Sequence, residues 1–132
     1  MTVEKVPKPS EALRVFRQLV DGLPQVMASA KDVQGRYLYV NAGFAERVGR
    51  PAREIVGGSV GDFFAAELAE SYMAQDTAVL VDGEPLAGHL ELIVRADGQL
   101  GWYLTAMSRL FYDDASVLGV AVMSVDLKAQ MD

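Results

Sequence analysis

Leu13, Phe16, Val20 and Leu23 recur at intervals of three and four, the spacing of one face of a helix. Ser10 precedes them as a suitable N-cap, and Gly22-Leu23-Pro24 is a stop signal. An amphipathic helix is therefore predicted over 10–23, after a flexible leader over 1–9 that carries Pro7 and Pro9. Val26 to Asp32 and Tyr37 to Val40 are β-forming runs separated by a few turn residues, which predicts a hairpin. Asn41 follows directly. Its side chain is placed to accept from the free amides of a helix over about 42–48, in which Phe44 and Val48 lie one turn apart. Gly49 and Pro51 end that helix. A short turn over 51–56 stops at Gly57-Gly58, and Asp62 is expected to cap a brief turn through Phe63 and Phe64.

The longest helix is predicted from Ala65 to Asp82. Its apolar stripe is Leu68, Tyr72, Met73, Val79 and Leu80, and Asp76 falls on it. Leu86 to Val94 is the next strand. Leu86, Leu90, Leu92 and Val94 are assigned to its core face, and His89, Glu91 and Arg95 to the other. Asp97-Gly98 marks a hairpin, followed by strands at Trp102–Phe111 and Val117–Leu127 with a turn at Asp113–Ser116. The last strand is almost wholly apolar, so it belongs in the middle of a sheet. Together these elements predict an α+β fold: a five-stranded antiparallel sheet with helices packed on one face, plus the N-terminal amphipathic helix. That helix needs a partner for its stripe, either the outer sheet face or the same helix of a second copy.

Composition narrows the function. The chain has 132 residues, a formal net charge of -6 and no cysteine. One domain is expected at this length. The acidic balance, with no clustered Lys and Arg, argues against binding of nucleic acid or anionic membrane by this segment. The lack of cysteine removes disulfides, thiolate metal sites and cysteinyl chromophores, and fits a cytoplasmic protein. No Walker-type loop and no catalytic triad is present, so enzyme activity is not expected.

Several motifs in order carry a family resemblance: Gly35, Asn41-Ala42-Gly43-Phe44, Gly49, Ile55-Val56-Gly57, Asp62-Phe63-Phe64, Val117-Leu118-Gly119-Val120 and Ser124-Val125-Asp126-Leu127. On these residues the chain resembles a PAS domain over about 10–127, with the PAS core at 24–127. The stretch 72–127 includes Tyr72, Gln75-Asp76, Pro85-Leu86, Leu90-Glu91-Leu92, Gly101-Trp102 and Leu104-Thr105. It resembles the PAS sensor domains that precede AraC-type DNA-binding domains in bacterial transcription regulators. The resemblance implies a cytoplasmic sensory domain that binds a small molecule in its core and regulates transcription through an output domain outside this chain. Residues 128–132 would then begin the linker. The alternatives are a ligand-free dimerisation or scaffolding module, or the input domain of a histidine kinase or diguanylate cyclase.

The candidate ligand-binding residues are Tyr39, Phe44, Phe63, Tyr72, Met73, Asp76, Leu90, Leu92, Trp102 and Leu104. Thr105 is a further candidate, although alternation keeps it and Leu104 from sharing a face. Asp76 has two readings, a structural carboxylate bonded to backbone or to Trp102, or a polar anchor inside a cavity. Gly35, Asn41, Gly49, Gly57 and Asp62 have structural roles. His89 is the single histidine and is assigned to a surface or interface, which argues against haem and zinc. No metal and no cofactor is expected. A homodimer through the helix 10–22 and the outer sheet face is.

Overall fold

A computed structural model describes residues 11–94 and 97–128. Ser10, the leader, Arg95 and the last four positions of the expected linker lie outside the described residues. The elements are α1 (Glu11–Asp21), β1 (Val26–Asp32), β2 (Tyr37–Val40), α2 (Ala42–Val48), α3 (Ala52–Ile55), a 3-10 turn (Val60–Asp62), α4 (Ala66–Asp82), β3 (Leu86–Val94), β4 (Leu100–Phe111) and β5 (Val117–Asp126). The five strands form one antiparallel sheet in the order β2-β1-β5-β4-β3. The apolar last strand is central, because both its neighbours cover its edges and helices cover its faces.

The core has two sides. On the inner face Met27, Tyr37, Val40, Ile93 and Tyr103 pack against Phe44, Ile55, Val60 and Ala69 from the helical side. On the outer face Leu13 and Val20 of α1 pack with Val26, Ala28, Ala30, Tyr39, Leu110 and Leu118. The α1 stripe thus takes the outer sheet face as its partner within one chain.

Asn41 joins these parts. Its Oδ1 accepts from the amides of Ala28 at 3.0 Å and Phe44 at 2.9 Å. Its Nδ2 donates to the carbonyls of Val20 at 3.0 Å and Val26 at 2.9 Å. One side chain therefore caps α2 and ties it to the end of α1 and to β1. Gly43 lets α2 lie this close, since a Cβ there would sit 2.2 Å from the Val26 carbonyl oxygen. Gly49 closes the helix with φ 80°, a left-handed cap that L side chains rarely adopt. Gly35 and Gly57 also have positive φ.

Two β-bulges overturn the expected faces. Between Ala30 and Lys31 the register against β2 shifts, so Tyr37 pairs with Lys31 and Tyr39 with Ala30. Tyr39 consequently faces outward beneath α1. Between Leu86 and His89 an extra residue enters β3. Leu86 faces inward as expected, but beyond the bulge Glu91 and Ile93 point in, while Leu90, Leu92 and Val94 point out. An inserted residue reverses alternation downstream of itself. Asp62 also differs from expectation: it closes its turn backward, accepting from the Ser59 amide at 2.9 Å.

The Asn41→Ala variant should lose at least about 2 kcal/mol, because the cap disappears and buried backbone groups lose their partner. Urea unfolding monitored by circular dichroism measures this, and an unchanged midpoint would contradict the role given to Asn41.

Candidate functional site

A cavity of about 50 Å³ lies between the inner sheet face and α2 and α4, within a pocket whose unoccupied space totals about 470 Å³ including its open mouth. The cavity has room for about three or four waters. Its walls are Met27, Ser29 and Lys31 of β1, Tyr37 of β2, Phe44 of α2, Phe64 just before α4, Tyr72, Gln75 and Asp76 of α4, Glu91 and Ile93 of β3, Met107 of β4, and Val122 and Ser124 of β5. The rings of Tyr37, Phe44, Phe64 and Tyr72 form an edge-to-face chain along one wall, with centroids 5.3, 6.2 and 5.2 Å apart in turn.

One turn further along α4, and across the sheet, the lining is polar. Lys31 Nζ lies 2.6 Å from Asp76 Oδ2, with both side chains nearly buried. The ammonium also sits 5.5 Å from the centre of the Tyr37 ring. Burial pushes the Asp76 carboxyl above its ordinary range, and the Lys31 charge pulls it back. A polar row then crosses the sheet. Gln75 Nε2 donates to Glu91 Oε2 at 3.2 Å, Thr105 Oγ1 donates to Glu91 Oε1 at 2.5 Å, and the Thr105 and Ser124 hydroxyls are 2.7 Å apart. Two buried atoms of the lining have no partner among the described residues, Asp76 Oδ1 and the Tyr72 hydroxyl. Burial, then the Glu91 charge, pushes the Tyr72 hydroxyl up to about 12, so it remains an O–H donor at neutral pH.

Of the sequence-derived candidates, Phe44, Tyr72 and Asp76 line this cavity. Phe63 packs 6.0 Å from Tyr37, on a separate surface groove with Arg47, Val48, Leu68 and Val94. Met73 is 53% exposed, because the buried face of α4 runs through Ala69, Asp76 and Val79. Tyr39 donates to Asp21 on the outer side. Leu90, Leu92, Trp102 and Leu104 are exposed on the outer face. Asp76 is partnered by Lys31 and not by Trp102.

Eleven of the fourteen lining residues were not among the sequence-derived candidates, and Lys31 and Glu91 are the charged ones among them. Lys31 had a signal. Asp76 on an apolar stripe calls for a cation, although β1, buried at nearly every position, does not single out which residue supplies it. Glu91 was hidden by the bulge. At the far end of the cleft Arg47 binds the end of β5: its guanidinium donates to Tyr103 Oη at 3.0 Å, to the Pro24 and Gly43 carbonyls, and to Asp126 Oδ2 at 3.2 Å.

Lys31→Met leaves the Asp76 carboxylate buried without its cation, a loss of about 3–5 kcal/mol at neutral pH. Without Lys31, the folded-state pKa of Asp76 rises further above its unfolded value. The folded state then binds more protons than the unfolded state, so stability falls as pH rises through that window and recovers on acidification. Thermal melts of both proteins between pH 4 and pH 8, pH values chosen as roughly the span of carboxylate and neutral conditions, should show the deficit shrinking toward acid. A deficit independent of pH would contradict the pairing.

No curated protein matches the chain. Many solved structures share its fold, among them the following three. A phage VqmA–DPO complex is 24% identical with a TM-score of 0.76, over 91% of this chain and 55% of that one. The Vibrio cholerae VqmA dimer, among LuxR-type receptors, is 20% identical with a TM-score of 0.72, over 88% and 51%. A PAS domain from Colwellia psychrerythraea is 16% identical with a TM-score of 0.65, over 88% and 97%. The chain spans about half the length of the VqmA proteins. The sequence model of the PAS fold matches residues 20–131. With that match over most of its length, the chain belongs to the PAS family.

Proposed function

We propose that this chain is the sensory segment of a cytoplasmic bacterial transcription regulator, and that it binds a small organic ligand in the cavity between α4 and the sheet. The observation that carries the reading is the pair of buried polar atoms without partners, Tyr72 Oη and Asp76 Oδ1, on one cavity wall. Native proteins rarely leave such atoms unsatisfied, and a ligand or water inside the cavity completes them. The likeness to VqmA supports a small-molecule input and a DNA-binding output, and makes DPO the first compound to try. A DNA-binding output is common to both likenesses: the sequence resemblance favours the AraC type, and analogy with VqmA favours the LuxR type.

The signal route follows the sheet. Val122 and Ser124 of β5 touch the cavity, and two residues later Asp126 is gripped by Arg47 and accepts the Lys128 amide at 3.0 Å. A ligand that binds one packing of α4 against β5 more tightly than another shifts the position of that end of the chain.

The same protein is proposed to form a homodimer through α1 and the outer sheet face. Cross-strand apolar pairs support this: Leu90 with Leu104, Leu92 with Trp102 and Val94 with Leu100. All six are exposed, Trp102 by 54%, and α1 adds the exposed Val15 and Leu19. A contiguous apolar stripe of this kind marks an interface.

Native mass spectrometry of the purified chain against its denatured mass tests the ligand, with a bound mass expected that vanishes on denaturation. DPO at a hundred times its dissociation constant should add about 2.7 kcal/mol of stability; no bound mass and no stabilisation would contradict the ligand reading. The double variant Leu92→Lys, Trp102→Lys should elute as a monomer in light-scattering chromatography while keeping its melting temperature. A wild-type monomer would contradict the dimer.

A further inference from the structure

The cavity's charges and its two unpaired atoms select among ligands. This inference rests on the ligand-binding reading above and specifies the chemistry. Three lining residues carry formal charge: Lys31 is positive, Asp76 and Glu91 negative. Lys31 is already committed to Asp76 Oδ2 and to the Tyr37 ring, so no cation is left over to receive an acid. An incoming carboxylate or phosphate would meet Glu91 and Asp76 in a site where burial magnifies repulsion. An incoming cation would meet the Lys31 ammonium and find only Asp76 Oδ1 open to it, because both Glu91 oxygens already accept, from Gln75 and from Thr105.

The unsatisfied atoms are complementary. Asp76 Oδ1 is an acceptor that needs a donor, and the Tyr72 O–H is a donor that needs an acceptor. They stand one helical turn apart on α4, so both side chains lie on the same side of the cavity. We propose that the cavity takes a small uncharged molecule presenting an N–H donor and a carbonyl or ring-nitrogen acceptor along one edge, of the amide or lactam kind, and that it discriminates against anions and cations of the same shape. The polar edge faces α4. The body of the molecule extends along the rings of Phe44 and Phe64 toward the open mouth, which the small inner volume requires.

Benzamide, benzoate and benzamidine share one shape and carry zero, negative and positive charge. Titration of the whole chain with each, followed by ¹H–¹⁵N NMR, separates the possibilities. Benzamide should shift the amides around Asp76, Tyr72 and Lys31 and bind at least about tenfold more tightly than either ion, a difference of about 1.4 kcal/mol. Tyr72→Phe should weaken benzamide by about the same factor with spectral dispersion unchanged. Asp76→Asn removes one negative charge and frees Lys31, so the preference should move toward benzoate. Benzoate or benzamidine binding the wild-type cavity as tightly as benzamide would overturn the ligand class while leaving the ligand-binding reading intact. Absence of any shift at the cavity with all three compounds would also overturn the ligand class, whereas the ligand-binding reading falls only if no bound mass and no stabilisation by DPO is found.

Discussion

The first strand and the two helices that flank it, α1 and α2, are aligned by the amide of Asn41. A helix beginning straight out of a strand has free N–H groups and a chain direction to fix. Asn41 meets both needs, and it also holds the Val20 and Val26 carbonyls at the ends of α1 and β1. Its backbone remains in the sheet, with its N–H donating to Ala28. The side chain is 98% buried, and each of its polar atoms is engaged. The helix on the outer face, the first strand and the helix on the inner face therefore share one node.

A second node is the buried ion pair of Lys31 and Asp76. Such pairs seldom add net stability over apolar residues of the same volume, so hydrophobic packing alone gives no reason to keep this one. What it does is hold α4 to β1 across a cleft that apolar packing has left partly unfilled. The row Gln75–Glu91–Thr105–Ser124 does the same toward β3, β4 and β5. Through these contacts α4 is bonded to Lys31 of β1 and Glu91 of β3, and Glu91 passes the row on to Thr105 of β4 and Ser124 of β5; the alternative partners of these groups would be polar groups of a guest.

The element order was legible in the sequence because each boundary carries local chemistry: Asn41 at the start of α2, Gly49 and Gly83 in left-handed caps, Asp97-Gly98 in a hairpin. The sides of the strands were less so. A hydrophobic pattern assigns faces by parity, and parity fails at a bulge. Tyr39 and the Leu90–Val94 stretch both lie just beyond one. In β3 the error was compounded, because the outward residues are the more apolar ones. Leu90, Leu92 and Val94 look like core, and only the backbone shows that Glu91 and Ile93 take that place. Phe44, Tyr72 and Asp76 reach the cavity from regular helices, where helical spacing keeps its phase, yet Met73 on the same stripe of α4 is exposed, because it sits at the stripe's margin. Lys31 needed tertiary knowledge, since a strand covered on both faces gives no alternation from which to tell a buried lysine from an exposed one.

The strand that completes the sheet is also the last to be made. β5 lies between β1 and β4 and is the partner that joins the early hairpin to the late one. A chain leaving the ribosome N-terminus first holds β1 and β2 with an open edge throughout synthesis of the helices and of β3 and β4. Such non-local pairing is slow to form, and until it forms Val122 and Ser124 are missing from the cavity wall. The cavity wall is therefore complete only once β5 has been added: a chain cut before Val117 has neither the joined sheet nor the closed cavity, whatever follows β5 in sequence.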